Sequence, residues 1–297
     1  MKIKDPELKL TPKEFGLKGN ISSMSFQSYH VKKGLFGVKK LGKGAEFLTQ
    51  SSQHLKFKNN KLVMEEGQDI MDDYYKNEYE YNNDGDVSVI KHYSHHPLTK
   101  LITPTFRHEY NYLDNKGLED IHLNAGEIVS RMFFTIENDL LIKKVYGEFN
   151  ELKERHQFII DKNEKIHSKE EYTIYDVEFC EGETEYSTGK EFLASRSIYN
   201  YDNNGFLKGF TDYTCDEEDG CQENYKMEYL NDSQGNPLYS INYEPDGIVE
   251  VIKFTYKYDN QNNWIERKQY GVEDWNETNL KYKSTLKYVV ERQINYE

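Results

Sequence analysis

The residues able to do chemistry are few and scattered. Histidines gather at His92, His95 and His96, with His108 and His122 downstream. A metal centre needs three or four ligands converging on one point. In a strand only alternate residues share a face, and neither H-x-H nor H-E-x-x-H occurs. The histidines are therefore expected to be solvated loop residues, and no metal or cofactor is expected. The densest acidic run is DEEDG, which is Asp216, Glu217, Glu218, Asp219 and Gly220, with Glu223 nearby. Calcium prefers several carboxylate oxygens, but D-x-[DN]-x-[DN]-G with its distant Glu is met neither here nor at Asn82 to Asp86. The run is expected to be a solvated hairpin tip, with contact to a basic partner as the alternative.

Nucleophilic chemistry has no better footing. The elbow G-x-S-x-G is absent, and Cys180 sits in EFCEGE, where acidic neighbours raise a thiol pKa and dull it. Glycoside hydrolysis needs two carboxylates at a set separation. With 52 Asp and Glu in the chain, abundance alone says nothing about such a pair. The expectation is no enzyme activity and no catalytic residue. Cys215 and Cys221 flank DEEDG, and a bridge between them would close a hairpin, contingent on export. The odd count of 3 cysteines fits reduced cytosolic thiols equally well.

Aromatic residues are the most abundant candidates, with 25 Tyr and 15 Phe against 2 Trp. Tyr and Trp suit interfaces because one end is apolar and the other polar. Trp264, Tyr270, Trp275 and Tyr282 form the candidate sugar-stacking or protein-binding face. Tyr256, Tyr258 and Tyr288 are expected in the packed inner face of a sheet.

The elements that position these residues are strands. Aromatic alternation, an Asn/Asp/Gly turn and a second alternating run recur at Glu78–Tyr93, Glu109–Leu123, Ile198–Tyr213, Lys226–Tyr243 and Tyr256–Tyr270. Asn, Asp and Gly tolerate the positive φ that tight hairpins require. Weaker copies lie at Leu55–Glu65, Phe134–Tyr146 and Phe158–Tyr172. From Leu280 to the end, alternate residues separate an apolar set (Tyr282, Leu286, Tyr288, Val290, Ile294) from a polar one, which no helix would do. Leu141, Val145, Phe149, Leu152 and His156 follow helical spacing, yet Gly147 interrupts them and the flanking runs fit hairpins, so both readings stay open. Pro6 to Leu17 reads as a short helix or an extended arm. The Gly- and Lys-rich run Lys32 to Ala45 reads as a flexible hairpin tip or loop.

At YKYDNQNNWIERKQY, IYNYDNNGFLKGFTDY and EYEYNNDGDVSVIKHY the chain resembles the tyrosine–aspartate (YD/RHS-like) repeat family, in its Asn-rich Bacteroidetes-type form. The run FGLKGNISSMSFQSY, from Phe15 to Tyr29, is similar to the start of such proteins. The resemblance covers about two thirds of the chain, from roughly Leu55 to Tyr270. It implies a curling sheet of hairpins, found in cell-surface, toxin-associated and carbohydrate-binding settings. Full toxin shells need many more repeats, and no processing motif or toxin domain follows the last one here. The implied role is that of a short relative which binds or protects. The family supplies no catalytic residue.

Charge narrows the partners. Lys and Arg number 38, and the net charge is −14. Phosphate neutralisation needs clustered Lys and Arg, so nucleic acid is not an expected partner. No run approaches the ~18 apolar residues of a membrane helix, and the first residues lack the apolar core of a secretory signal. As it stands the chain reads as cytoplasmic; a removed leader would make it exported or envelope-associated. The resulting expectation is an all-β protein, a long twisted antiparallel sheet of six to ten hairpins with at most one or two short helices. Residues 1–54 form an arm and first hairpin, and residues 55–297 one hairpin-repeat domain. Its expected function is non-catalytic binding of a protein, a basic one being an option, in an immunity-type or toxin-associated role. The alternative is an envelope protein binding glycans through exposed aromatics.

Overall fold

The structure is a computed structural model. It describes residues 3–34, 37–43, 50–69, 73–95, 99, 101–113, 117–174, 191–216, 219–275 and 282–297. Among these residues every regular element is a strand, and there is no helix. The strands are β1 (Ile21–Gly34), β2 (Gly37–Lys43), β3 (Gln50–Lys58), β4 (Lys61–Asp69), β5 (Tyr74–Tyr81) and β6 (Val87–His95). Next come β7 (Ile102–Leu113), β8 (Gly117–Asn124), β9 (Glu127–Glu137), β10 (Leu140–Tyr146), β11 (Leu152–Ile160) and β12 (Ile166–Ile174). The rest are β13 (Glu191–Tyr201), β14 (Leu207–Asp216), β15 (Gly220–Asn231), β16 (Pro237–Glu244), β17 (Gly247–Tyr258), β18 (Trp264–Glu273) and β19 (Lys283–Tyr296). The fold is all-β, antiparallel and built from hairpins.

The chain divides into two compact units. The first takes Met1–Pro6, His108–Gly235 and Asn242–Val249; the second takes Glu7–Arg107, Asn236–Ile241 and Glu250–Glu297. In the first, β8 to β15 pair each with the next in an antiparallel ladder. Its core holds Leu118, Phe134, Phe158 and Met227, none more than 2% exposed. In the second, β17, β18, β19, β1, β3, β4, β5 and β6 pair in that order, so the last strand lies against the first. Met24, Leu55, Leu62 and Val290 fill its core at 0–1% exposure. Each buried side chain of this size contributes roughly 1.5–3 kcal/mol.

The repeated turns share one construction. At Asn82, Gly147, Asp161, Asp202 and Asp259 the first residue's N–H donates to the fifth residue's carbonyl, and the fourth N–H donates back to the first carbonyl. The fourth residue is left-handed: Gly85, Asn150, Glu164, Gly205 and Asn262 have φ of 83°, 63°, 64°, 80° and 61°. An Asp in first place ties the turn from inside. Asp202 Oδ1 accepts from the N–H groups of Asn204 and Phe206, both at 2.9 Å. Asp259 does the same with Gln261 and Asn263.

The tyrosine before the turn has its own task. Tyr81 donates to the Leu62 carbonyl at 2.6 Å, and Tyr201 donates to the Ile166 carbonyl at 2.9 Å. Lys61 crosses the Tyr81 ring at 5.0 Å and donates to the Gly85 carbonyl at 2.6 Å. Lys165 crosses the Tyr201 ring at 5.1 Å and reaches the Gly205 carbonyl in the same way. The Tyr81–Asn82 and Tyr201–Asp202 pairs thus lock their turns to the preceding hairpin.

The structure decides one alternative that the sequence left open and corrects two expectations. The helical spacing from Leu141 to His156 belongs to β10 and β11, joined by the turn at Gly147. Pro6 to Leu17 is neither helix nor extended arm: Pro12 is fully buried, residues 11–16 form turns, and Leu62 N–H bonds the Leu10 carbonyl at 2.7 Å. Most of Lys32 to Ala45 is strand rather than loop, because β1 and β2 pair up to Gly34 and Gly37.

Candidate binding site

The four candidate aromatics do not stay together. Trp264 is 8% exposed. A register shift between Lys257 and Tyr258 turns Trp264 to the core face, where its ring lies 6.2 Å from Tyr256. It therefore leaves the candidate surface. Trp275 and Tyr282 do meet, with ring centroids 5.7 Å apart. Tyr239, which the sequence did not single out, completes the group at 5.3 Å from Trp275 and 6.3 Å from Tyr282. Tyr270 is half-buried and sits across the ladder from Lys253.

Lys253 organises this cluster. Its Nζ donates to the Tyr282 hydroxyl at 2.9 Å and lies 6.0 Å from the Tyr239 ring centroid. The Tyr239 and Tyr282 hydroxyls are 2.6 Å apart. The Lys253 hydrogen bond, with that of Tyr239 behind it, holds the Tyr282 pKa below the ordinary phenol value. Burial, followed by the bond to Tyr282, raises that of Tyr239. The hydrogen bond to Tyr282 likewise raises Lys253. Lys253 and Tyr239 thus both bond the Tyr282 oxygen, and either phenol can be the donor of the Tyr239–Tyr282 bond. Trp275 Nε1 is buried, with no acceptor among the described residues. Half-buried rings and a fixed ammonium can stack an apolar ring face and bond its hydroxyls.

The same unit carries a polar groove of about 770 Å³. Gln27, His54, Glu66, Tyr74, Glu266 and Glu291 are among its walls. Glu266 and Glu291 stand opposite each other in the ladder. Their carboxylates are already occupied: Glu266 by Lys257 at 2.9 Å and Lys268 at 3.5 Å, Glu291 by Lys40 at 2.5 Å. Burial pushes Glu266 up, but the Lys257 hydrogen bond and the two lysine charges outweigh it and leave the pKa lowered. Such a carboxylate is an ion-pair partner and a poor proton donor. Nothing in the sequence marks this groove, because register between distant strands assembles it.

The acidic run lies in the first unit. Asp216 and Asp219 are exposed at the end of the β14–β15 hairpin, and Asp219 N–H bonds the Asp216 carboxylate. Glu217 and Glu218, like Cys180 and His96, lie outside the described residues. Cys215 and Cys221 face each other across the ladder and are bridged.

The histidines expected in solvated loops sit in strands. His92 stacks on Phe106 at 4.2 Å and His95 on Tyr74 at 4.3 Å. His108 Nδ1 lies 2.9 Å from the buried Asp120, and His122 stacks on His108 at 4.8 Å. Pleating lines these rings up with aromatic neighbours on adjacent strands. Among the described residues no three His, Cys, Asp or Glu side chains gather as metal ligands would. No described helix is long and apolar enough to cross a membrane, which says nothing of a β-barrel.

No family model matches the chain, and no curated protein matches it in sequence. Among solved structures it is similar to a porin-like protein from Bacteroides uniformis, with 9% identity and a TM-score of 0.44 over 97% of this chain and 99% of that one. A protein of unknown function from Bacteroides fragilis shares 12% identity at a TM-score of 0.34, over 42% of this chain and 91% of that one. The TcdB2–TccC3–Cdc42 complex shares 10% identity at a TM-score of 0.22, over 86% of this chain but 15% of that one. These likenesses are weak and carry no statement about function.

Proposed function

We propose that the protein is an exported, non-catalytic glycan-binding protein of the cell envelope, and that Trp275, Tyr239, Tyr282 and Lys253 form its sugar site. The observation that carries this reading is the gathering of three half-buried rings, two of them around the Lys253 ammonium. Aromatic faces stack the C–H side of a pyranose, and the ammonium bonds its hydroxyls. The Cys215–Cys221 bridge supports export, because disulfides persist in oxidising compartments. A glycan array on the purified chain, followed by calorimetry on each hit, tests the reading. Trp275→Ala and Tyr282→Ala should each weaken a hit about tenfold, which is the scale of one stacked aromatic contact. Wild-type silence on the array, or undiminished affinity in both variants, would reject it.

A second reading rests on the hairpin tip. Asp216 and Asp219 are exposed on a loop closed covalently at its base, on a chain of net charge −14. A tip so fixed suits a basic protein partner, in the toxin-associated or immunity-type role that the repeat resemblance implies. Binding of such a partner should weaken with salt and be lost in Asp216→Lys/Asp219→Lys. A partner indifferent to both would remove this reading.

A further inference from the structure

A row of side chains crosses seven strands of the second unit. Lys257 pairs with Glu266, and Glu266 with Glu291. Glu291 pairs in turn with Gln27, Gln27 with Ser52, Ser52 with Gln68 and Gln68 with Tyr74. A second row lies two residues along the strands, from Gln293 to Ser25, then His54, then Glu66. Residues two apart on a strand share a face, so both rows stand on one side of the sheet. Every member of both rows walls the 770 Å³ groove. At ~4.8 Å between strands the longer row extends about 29 Å, whereas the two rows are only ~7 Å apart along the strands. The groove is therefore elongated and runs across the strands.

Its charges are balanced. Glu266 is met by Lys257 and Lys268, and Glu291 by Lys40. Glu66 accepts the Tyr74 hydroxyl at 2.9 Å and stands opposite Lys76. On a chain of net charge −14 this is a face without a dominant sign, so it draws in neither a polyanion nor a polycation. The other members are three amides, two hydroxyls, an imidazole and the Tyr74 phenol. Amides and hydroxyls each both donate and accept. Neither row contains an aliphatic side chain, so an extended peptide finds no apolar pockets for its side chains. The floor strands β18, β19, β1, β3 and β4 are each paired on both sides, which leaves no edge for an added strand. A chain whose every unit carries neutral hydroxyls matches the shape, the charge and the donor–acceptor pattern together.

We propose that this groove binds a linear, uncharged oligosaccharide lying across the strands. Gln27, Gln68 and Gln293 bond its hydroxyls from the two rows, Ser25, Ser52 and His54 bond them from the floor, and the lysine-held carboxylates accept from them. The inference rests on the glycan-binding reading for its ligand class, but it adds a second site that shares no residue with the Trp275 cluster. Either site can fail alone.

Calorimetry with unbranched oligomers of glucose, mannose and N-acetylglucosamine, from one unit to six, tests it. In at least one series the affinity should rise tenfold or more from monomer to hexamer. Gln27→Ala/Gln293→Ala should weaken the hexamer about tenfold, the scale of two lost hydrogen bonds. His54→Ala, a single change that serves if the double variant does not fold, should weaken it severalfold. Trp275→Ala should leave the dependence on length intact. Affinity that does not grow with length in any series would overturn the proposal, as would full hexamer affinity in every folded groove variant. Loss of hexamer binding in Trp275→Ala with the groove variants unaffected would assign the sugar to the aromatic cluster and remove this site alone. Tighter binding of polygalacturonate than of any neutral hexamer would overturn the uncharged class.

Discussion

Lys253 and Tyr282 form a charge-assisted hydrogen bond of 2.9 Å on the sheet face, and the Tyr239 hydroxyl closes on the same phenolic oxygen at 2.6 Å. The lysine, more than any other group, sets the acidity of Tyr282, whose pKa it holds down. Replacing it by an apolar side chain of similar length removes the first donor and its charge. In Lys253→Met the Tyr282 titration should move upward, as followed by tyrosinate absorbance against Tyr282→Phe. A Tyr282 midpoint that does not rise would show that Lys253 does not organise the cluster.

Gly205 sits at φ 80° in its turn, where an L-residue is strained, and the Lys165 ammonium occupies the space a Cβ would need. Gly205→Ala should cost about 1–2 kcal/mol in denaturant unfolding. Tyr201→Phe removes the hydroxyl that holds the Ile166 carbonyl and should cost about 1 kcal/mol. If both variants unfold at the wild-type midpoint, the Tyr–Asp turn is not a fastening between hairpins.

These turns were legible because their chemistry is local. Asp202, Gly205 and Tyr201 lie within five residues, and Asp202 bonds N–H groups of its own turn, while Tyr201 meets the preceding hairpin at Ile166. The placing of Cys215 and Cys221 around an acidic tip was legible for the same reason. Trp264 was not, since a single shift in pairing at Tyr258 exchanges the two faces of a strand and no residue type announces it. Lys253 and Tyr239 escaped because Tyr282 reaches them from another part of the sequence.

The Cys215–Cys221 bridge joins cross-strand partners near the end of one hairpin. Closing so short a loop is worth about 2–3 kcal/mol through the unfolded chain. Cys215→Ser/Cys221→Ser, or reduction of the wild type, should lower stability by about that amount under chemical denaturation. Thiol counting on protein from an oxidising compartment should find this pair blocked. Free thiols at both positions would contradict the bridge.

His122 gives the first unit a pH dependence of predictable sign. Burial, followed by the charge of His108, lowers its pKa, while Asp120 opposes the shift. The groups facing it are the stacked His108 ring, Asp120 and the Ser130 hydroxyl 3.5 Å from Nδ1. An unfolded histidine titrates near about 6.5, so the folded chain binds this proton less readily than the unfolded one. The contribution is then fully present above that value and is lost as pH falls through the lower, folded pKa. Thermal melts of wild type and His122→Gln should diverge on these terms: the wild type loses more stability on acidification below neutrality. Nuclear magnetic resonance titration of the ring protons should place the His122 midpoint below the unfolded value. A midpoint at or above it, or parallel melting curves for the two proteins, would refute the assignment.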